Sequence, residues 1–183
     1  MIPLHFFDCN ASFGSRQFRH PGSFTEKETL LRKMGEFGIQ KALVWHSLSK
    51  EYDPAEGNRI LYQEIEENSQ LLPVPALLPH YTGEFPSPDR VAEEMRAHHA
   101  CAATMFPATH GFSLSEINCG PLFDMLEQYR IPLFLSLNEC GIDGIGQLAL
   151  SRPGLRLVLT NVTFRIDRNL YPLLSRCHNL WVE

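Results

Sequence analysis

The stretch Ile131-Pro132-Leu133-Phe134-Leu135-Ser136-Leu137 is an apolar run of strand length with a hydroxyl side chain near its end. Leu155–Thr160 repeats the pattern further along the chain. Strands that are apolar on both faces are typical of a parallel sheet that helices cover on both sides. Such runs recur and predict strands at Leu4–Asp8, Ala42–His46, Leu72–Leu78, Cys101–Phe106, Ile131–Leu137, Leu155–Thr160 and Asn179–Glu183.

The segments between these runs carry helix signals. Thr25-Glu26-Lys27-Glu28 has the pattern of a capping box, in which two side chains satisfy the first backbone N–H groups of a helix. Asp53-Pro54 and Ser87-Pro88 each offer a cap followed by a proline at the first helical position. Apolar side chains at helical spacing predict further helices after Pro121, over Ile142–Ala149 and over Leu170–Cys177.

Strands that alternate with helices indicate β/α units, which build either an open doubly wound sheet or a closed barrel. No GxGxxG motif follows the first strand, which disfavours a dinucleotide-binding open sheet. We therefore predict an α/β fold, a parallel (β/α) TIM-type barrel with seven of its eight strands, as one domain over residues 1–183. The lack of an eighth unit favours truncation of a longer chain. The alternative is a second copy, in a homodimer, that covers the open edge.

Composition excludes several classes of protein. The net charge is −5 and the basic residues are scattered, which argues against nucleic acid as a partner. No apolar stretch is long enough to span a membrane. The five cysteines are odd in number and form no CxxC pair, so we expect neither a disulfide framework nor a zinc knuckle. A reducing, cytoplasmic location fits best.

In a barrel of this type, chemistry takes place at the C-terminal ends of the strands. Glu139 or His110 could act there as the general base for a water molecule. Arg165 could hold a carboxylate in two hydrogen bonds, although a surface ion pair with Asp167 or Glu139 is an equal alternative. The expected substrate-binding residues at these strand ends are Asn10, Ser12, His46, His80, Ser136, Asn138, Asn161 and Arg165.

Two other chemistries are weighed against this. His46, His80 and His110 could together bind zinc, and the alternative is that each is an ordinary hydrogen-bonded histidine. No GxSxG motif surrounds any serine, which disfavours a serine hydrolase. Cys9 has no activating histidine beside it in the sequence, so a buried free thiol is the simpler interpretation.

Four motifs, in order along the chain, resemble the amidohydrolase-related superfamily of metal-dependent TIM-barrel hydrolases. The opening residues, 8–14, are similar to its Asp-x-His-x-His-x-Gly motif. The others are Ile131–Ser136, which resembles the fifth strand, Pro153–Asn161, which resembles the sixth, and His178–Glu183, which resembles the seventh. The resemblance implies a hydrolase, and a divalent metal such as zinc is the norm of that superfamily.

The departures from the superfamily's pattern concern its metal ligands. The positions that match its histidines hold Asn10, Ser12, Ser136 and Asn161. Neutral amide and hydroxyl oxygens are poor substitutes for imidazole at a zinc site, so we expect no metal cofactor. The resemblance then implies a metal-independent hydrolase of a small carboxylated or sugar-derived ester, lactone or amide. The alternative is an inactive pseudo-enzyme that binds such a ligand.

Overall fold

The computed structural model describes residues 5–18 and 22–183. Strands and helices alternate along these residues, and every ladder between strands is parallel. None of the helices within these residues has the length and apolar character needed to cross a bilayer. In chain order the elements are β1 (Phe6–Phe13), α1 (Lys27–Phe37), β2 (Ile39–His46), α2 (Leu48–Glu51), α3 (Pro54–Ile65), β3 (Leu71–Pro73), α4 (Pro88–Ala97), β4 (Ala103–Met105), α5 (Pro107–His110), α6 (Glu116–Gln128), β5 (Leu133–Ser136), α7 (Leu137–Ser151), β6 (Leu157–Thr160), a 3₁₀ turn (Phe164–Ile166), α8 (Asp167–Arg176) and β7 (Leu180–Val182).

All seven predicted strands are confirmed, but some of their bounds differ. Leu4, the predicted start of the first strand, lies outside the described residues. β1 continues to Phe13, beyond its predicted end at Asp8. β3 is shorter than predicted and ends at Pro73. Proline has no N–H to donate to a ladder, and a second proline at position 75 follows closely.

The predicted helices are present, but several of their starts differ from the prediction: α7 begins at Leu137 and α8 at Asp167, before the predicted Ile142 and Leu170. The capping box at Thr25 is not formed, because α1 has Glu26 at its N-cap with no side-chain hydrogen bond. α6 begins before Pro121, which lies inside the helix. Ser115 caps α6 by accepting a hydrogen bond from the backbone N–H of Asn118. These corrections move helix starts by a few residues and leave the order of the elements unchanged.

The described residues form two compact units. The first consists of the described residues up to Ala76 together with Met95–Cys101, and the second of Leu77–Glu94 and Ala102–Glu183. The first contains a sheet of order β1-β2-β3, and the second a sheet of order β4-β5-β6-β7. The parallel order confirms the predicted α/β class, while the single domain over residues 1–183 stays a prediction.

In the first unit, a core of aliphatic and aromatic side chains holds α1 and α3 on the sheet. A buried polar contact adds to it: Asn58 of α3 donates through Nδ2 to the carbonyl of Ala76 and accepts from its N–H through Oδ1, both at 2.8 Å. Gly57 of the same helix lies against the backbone of Ser49 in α2, with no room for a Cβ. α2 is therefore held directly beside the end of β2.

In the second unit, β4, β5 and β6 are buried along most of their length, as their apolar sequences predict, whereas β7 exposes Trp181 and Val182. Asn179, just before β7, donates through Nδ2 to the carbonyls of Ala149, Arg152 and Leu155 at 3.2, 2.9 and 3.0 Å. One side chain thus satisfies carbonyl groups at and beyond the end of α7. Leaving such groups unpaired inside a protein is costly, so this contact fixes where the last strand begins.

Candidate functional site

The predicted site residues are divided between the two units. Asn10, Ser12 and His46 belong to the first unit. The others, His80, His110, Ser136, Asn138, Glu139, Asn161 and Arg165, belong to the second. The strand ends of each unit form a separate group of polar side chains.

The sequence had suggested that Asn10 and Ser12 follow the first strand. In the first unit of the structure, both residues lie within β1. The ladder to β2 shifts register between Asp8 and Ala11, which is the mark of a β-bulge. Beyond the shift, Ser12 pairs with Trp45. Bulges re-aim side chains near the ends of strands and are frequent beside functional sites. Here the bulge separates Phe7 and Asp8 from the paired residues Ala11, Ser12 and Phe13 at the end of the strand.

The end of β1 is organised around Arg16, a residue that the sequence analysis missed. Arg16 donates through Nη2 to Ser12 Oγ at 2.7 Å, and its guanidinium carbon lies 5.2 Å from the centre of a Trp45 ring. Trp45 Nε1 donates to Asn10 Oδ1 at 3.2 Å. Nη1 of Arg16 lies 3.8 Å from Oε1 of Glu51. We refer to Asn10, Ser12, Arg16, Trp45 and Glu51 as the Arg16 cluster.

A glycine turn brings Arg16 back over the strand. Gly14 has a φ of 110°, in the region that favours glycine, and an added Cβ would lie 2.6 Å from Nε2 of His46. Its N–H donates to the carbonyl of Phe24 at 3.0 Å. The chain bends at this glycine, and the side chain of Arg16, two residues further on, reaches Ser12. Any larger residue at position 14 would disturb this turn.

His46, predicted to bind substrate, is 4% exposed and packs edge-to-face on Phe13 at 5.2 Å. Its Nδ1 accepts from the N–H of Leu48 at 3.3 Å, which assigns the proton of the neutral ring to Nε2. Burial lowers the pKa of His46, because an imidazolium is poorly solvated there. These surroundings match the alternative interpretation of His46 as a hydrogen-bonded structural residue.

In the second unit, Ser136 ends β5 and caps α7. Its Oγ accepts from the N–H of Asn138 at 3.3 Å and from Nδ2 of Asn161 at 2.9 Å. Asn161 follows β6 with a φ of 57°, a conformation that asparagine tolerates better than most residues. The structure thus brings together Ser136, Asn138 and Asn161, three of the predicted substrate-binding residues.

Glu139, the predicted base, is fixed by a residue that the sequence analysis missed. Thr109 of α5 donates its N–H to Oε2 at 2.9 Å and its hydroxyl to Oε1 at 2.8 Å. These two hydrogen bonds fix the orientation of the carboxylate. Burial, together with the negative charge of the neighbouring Glu139, raises the pKa of the Cys140 thiol to about 12. A thiol with such a pKa is a poor nucleophile.

Glu139 also lines a cleft of about 530 Å³ between the start of α6 and α7. Phe112, Ser113 and Ser115 contribute to its walls. Ligand sites in proteins have about this volume and combine apolar walls with a few polar groups. The cleft and the fixed carboxylate together form the most complete candidate site within the second unit.

The remaining predicted residues are less well placed. Arg165 lies exposed in the 3₁₀ turn, 5.9 Å from the ring of Phe164, and pairs with no carboxylate in the described parts of the chain. The alternative ion pair with Asp167 or Glu139 is therefore not formed there. His80 lies in a turn beyond β3 and stacks at a tilt on Tyr81 at 4.4 Å.

A divalent metal, the norm that the resemblance implies, does not fit these residues. The oxygens of Asn10, Ser12 and Ser136 accept hydrogen bonds from protein donors. Asn161 faces Ser136 with its amide NH₂ group, which cannot bind a cation. In residues 5–18 and 22–183, no three His, Cys, Asp or Glu side chains are grouped so that they could hold a metal ion. The alternative of a zinc site rebuilt from histidines has no such group to rest on.

The chain matches no protein-family model and no curated protein. Its fold is similar to that of an uncharacterised TIM-barrel protein from Bordetella bronchiseptica, with a TM-score of 0.67, 13% identity and 86% of the chain covered. It is also similar to a probable 2-pyrone-4,6-dicarboxylic acid hydrolase from Acinetobacter baumannii with citric acid bound (TM-score 0.68, 12% identity, 96% of this chain and 68% of that one). Amidohydrolase 2 from Bifidobacterium longum subsp. infantis is a third similar structure (TM-score 0.65, 12% identity, 98% and 72%).

These similarities confirm the predicted fold class, that of the parallel TIM-type barrel. The structures that the chain resembles include the hydrolase and amidohydrolase barrels that the sequence motifs indicated. Identities this low show the fold alone, since one fold hosts many activities. The chain spans 59% of the length of the Bordetella protein.

Proposed function

We propose that the protein is a hydrolase of the amidohydrolase-related kind that works without a catalytic metal. Its substrate would be a small carboxylated or sugar-derived ester, lactone or amide. The observation that carries the proposal is the carboxylate of Glu139, which Thr109 holds by both oxygens at the edge of a cleft of about 530 Å³. A fixed carboxylate beside a ligand-sized space suits general base catalysis.

In this mechanism, Glu139 accepts a proton from a water molecule in the cleft. The water oxygen forms a bond with the acyl carbon, and the bond from that carbon to the leaving oxygen or nitrogen breaks. The leaving group takes up a proton from Glu139 or from His110, the residue after Thr109, so hydrolysis consumes one water and needs no other reactant. The substrate contacts predicted for Ser136, Asn138 and Asn161, which lie together in the same unit as Glu139, belong to this proposal.

The test measures turnover of a panel of lactones and carboxylated esters by the full-length protein after treatment with a chelator. We expect turnover to persist, and Glu139→Gln to lower it at least about a hundredfold, the usual contribution of a general base. Thr109→Val, which removes one of the two hydrogen bonds to the carboxylate, should give a smaller loss. Glu93→Gln, an exposed carboxylate on α4, is the matched control. Activity that requires added metal, or that survives Glu139→Gln, would contradict the proposal.

A second candidate function is ligand binding without turnover. The residues that the structure brings together around Ser136 are neutral amides and a hydroxyl, which recognise hydroxyl groups and do little acid–base chemistry. In that case D-glucuronate or a sugar lactone would raise the unfolding temperature saturably, with no product formed.

Two further expectations belong to the same proposal and have tests of their own. The protein would act in the cytoplasm, where its cysteines, which form no disulfide in the described residues, stay reduced. Apart from the small molecule, the expected partner is a second copy of the chain. Sedimentation equilibrium would measure this self-association.

A further inference from the structure

Arg16 is a charged side chain to which no function has yet been assigned. It is 20% exposed, so the guanidinium is partly open to solvent. Arginine remains charged at every physiological pH and offers five N–H donors in a planar fork. Within the described residues, a single hydrogen bond, to Ser12 Oγ, uses one of these donors. The guanidinium of Arg16 is therefore held in place while most of its N–H donors make no hydrogen bond to the described residues.

The contact between Arg16 and Glu51 is loose. At 3.8 Å it exceeds the length of a hydrogen bond. Arg59, in the same unit, forms an ion pair with two hydrogen bonds, in which its Nε and Nη2 donate to the two oxygens of Glu56 at 2.7 and 2.5 Å. Glu51 instead accepts from the backbone N–H of Gln17 at 2.6 Å. Glu51 is held near Arg16 without occupying its fork.

The surroundings of Arg16 are fixed before any ligand arrives. The hydrogen bond from Trp45 to Asn10 sets the orientation of the indole, and the guanidinium lies over that indole. The turn at Gly14 fixes the backbone that leads to Arg16. Preorganisation of this kind lowers the entropy that a ligand must lose on binding. An arginine placed over an aromatic ring is well suited to hold a planar anion.

We propose that Arg16 binds the carboxylate group of the ligand, through two parallel hydrogen bonds from its guanidinium over the face of Trp45. The carboxylate of the ligand replaces the loose contact of Arg16 with Glu51, because both carboxylates compete for the positive charge of the guanidinium. This inference rests on the proposed function for the carboxylated nature of the ligand. It gives to Arg16 the role that the sequence had suggested for Arg165.

Trp45 makes the site directly observable. The chain has two tryptophans, so Trp181→Phe leaves Trp45 as the only one. The experiment titrates full-length Trp181→Phe protein with D-glucuronate and with citrate, and uses D-glucose as the uncharged counterpart of glucuronate. We expect saturable changes in Trp45 fluorescence with the two carboxylates and none with glucose.

Substitutions then separate a binding role from a structural one. Arg16→Ala should weaken carboxylate binding at least about tenfold, and Arg16→Lys, which keeps the charge but loses the fork, should weaken it less. Glu51→Gln should tighten binding by about two- to fivefold, because it removes the competing charge and keeps an acceptor for the N–H of Gln17. Arg59→Ala is the matched control and should change nothing. Unfolding temperatures of all variants show whether a loss of binding comes from a loss of folding.

Several results would overturn the inference. It fails if Arg16→Ala binds carboxylates as well as the parent protein does, if Arg165→Ala is the variant that abolishes binding, or if Glu51→Gln does not tighten it. If a carboxylated ester is hydrolysed but Arg16→Ala leaves its KM unchanged, the inference fails while the proposed function stands. If no carboxylate in the panel is bound or turned over, both fail.

Discussion

Replacing Gly57 by alanine tests how α2 is held beside the end of β2. An alanine Cβ at this position would overlap the backbone nitrogen and Cα of Ser49 and would lie 2.6 Å from its Cβ. Ser49 is fully buried, and its hydroxyl donates to the carbonyl of His46 at 2.6 Å. The backbone of α2 therefore cannot retreat without breaking a buried hydrogen bond.

The magnitude follows from opposing effects. Alanine is favoured over glycine inside a helix by about 1 kcal/mol. Overpacking against a rigid backbone costs about 1–3 kcal/mol, and loss of the hydrogen bond of Ser49 adds about 1 kcal/mol. We expect Gly57→Ala to lower the free energy of unfolding by about 1–3 kcal/mol. Gly35 in α1 has no neighbour within 4 Å of an added Cβ, so Gly35→Ala should raise the free energy of unfolding by about 0.4–1 kcal/mol.

The assay is urea denaturation of the parent protein and both variants, followed by circular dichroism. The two glycines both lie inside helices of the first unit, and they should give shifts of opposite sign. Because α2 carries Glu51, Gly57→Ala should also change the fluorescence of Trp45, whereas Gly35→Ala should not. If Gly57→Ala is as stable as the parent, or if both variants shift in the same direction, the close approach of α2 and α3 does not exist as described.

Two further predictions concern buried polar groups of the first unit. Asn58→Ala should lower the free energy of unfolding by about 2–4 kcal/mol, because it leaves the buried N–H and C=O of Ala76 without their partners. Asn68→Ala is the control in the same urea assay. If both variants lose the same amount of stability, the role assigned to Asn58 is wrong. Burial lowers the pKa of His46 below 6.5, so at low pH the unfolded chain binds a proton that the folded one does not. Stability should therefore fall as the pH drops from about 6.5 towards the lowered pKa, and His46→Gln should flatten this slope when unfolding is measured between about pH 5 and 7.5. An unchanged slope would show that His46 is not the group responsible.

The strands could be predicted because a buried strand requires a recognisable pattern in its own local sequence. A strand covered on both faces needs apolar side chains at successive positions, as in 133–135 and 157–159, and the shortness of these runs distinguishes them from buried helices. The helix start at Asp53 was predicted for a similar reason. Asp53 caps this helix because its Oδ1 accepts a hydrogen bond from the N–H of Glu56, only three residues further along the chain.

The polar end of β1 could not be predicted in the same way. The sequence shows Asn10 and Ser12 as polar residues after an apolar run, which is also the pattern of a loop. They are strand residues because β2 provides a pairing partner beyond the bulge, and register across a bulge depends on that partner. The contact of Thr109 with Glu139 was missed for the same reason, since thirty positions separate the two residues.

Arg16 combines both difficulties. Its contact with Ser12 spans only four positions, but the chain bends at Gly14 between the two residues, and the Trp45 ring beside Arg16 comes from the neighbouring strand. A glycine between a polar strand end and an arginine was the one signal that the sequence offered. An arginine that follows such a turn could be tested as a candidate before the more obvious exposed arginines.

The chemistry of a guanidinium limits what the Arg16 cluster can do. Arginine can hold and orient a carboxylate, but unlike a bound metal ion it does not turn a water molecule into hydroxide near neutral pH. If the protein hydrolyses its ligand, activation of water must come from another group, and Glu139, fixed by Thr109, is the candidate that the second unit offers. Substitution of Glu139 should then lower kcat, whereas substitution of Arg16 should weaken the binding of carboxylates measured by itself. Carboxylate binding that survives Arg16→Ala, or turnover that survives Glu139→Gln, would show that the corresponding group does not have this role.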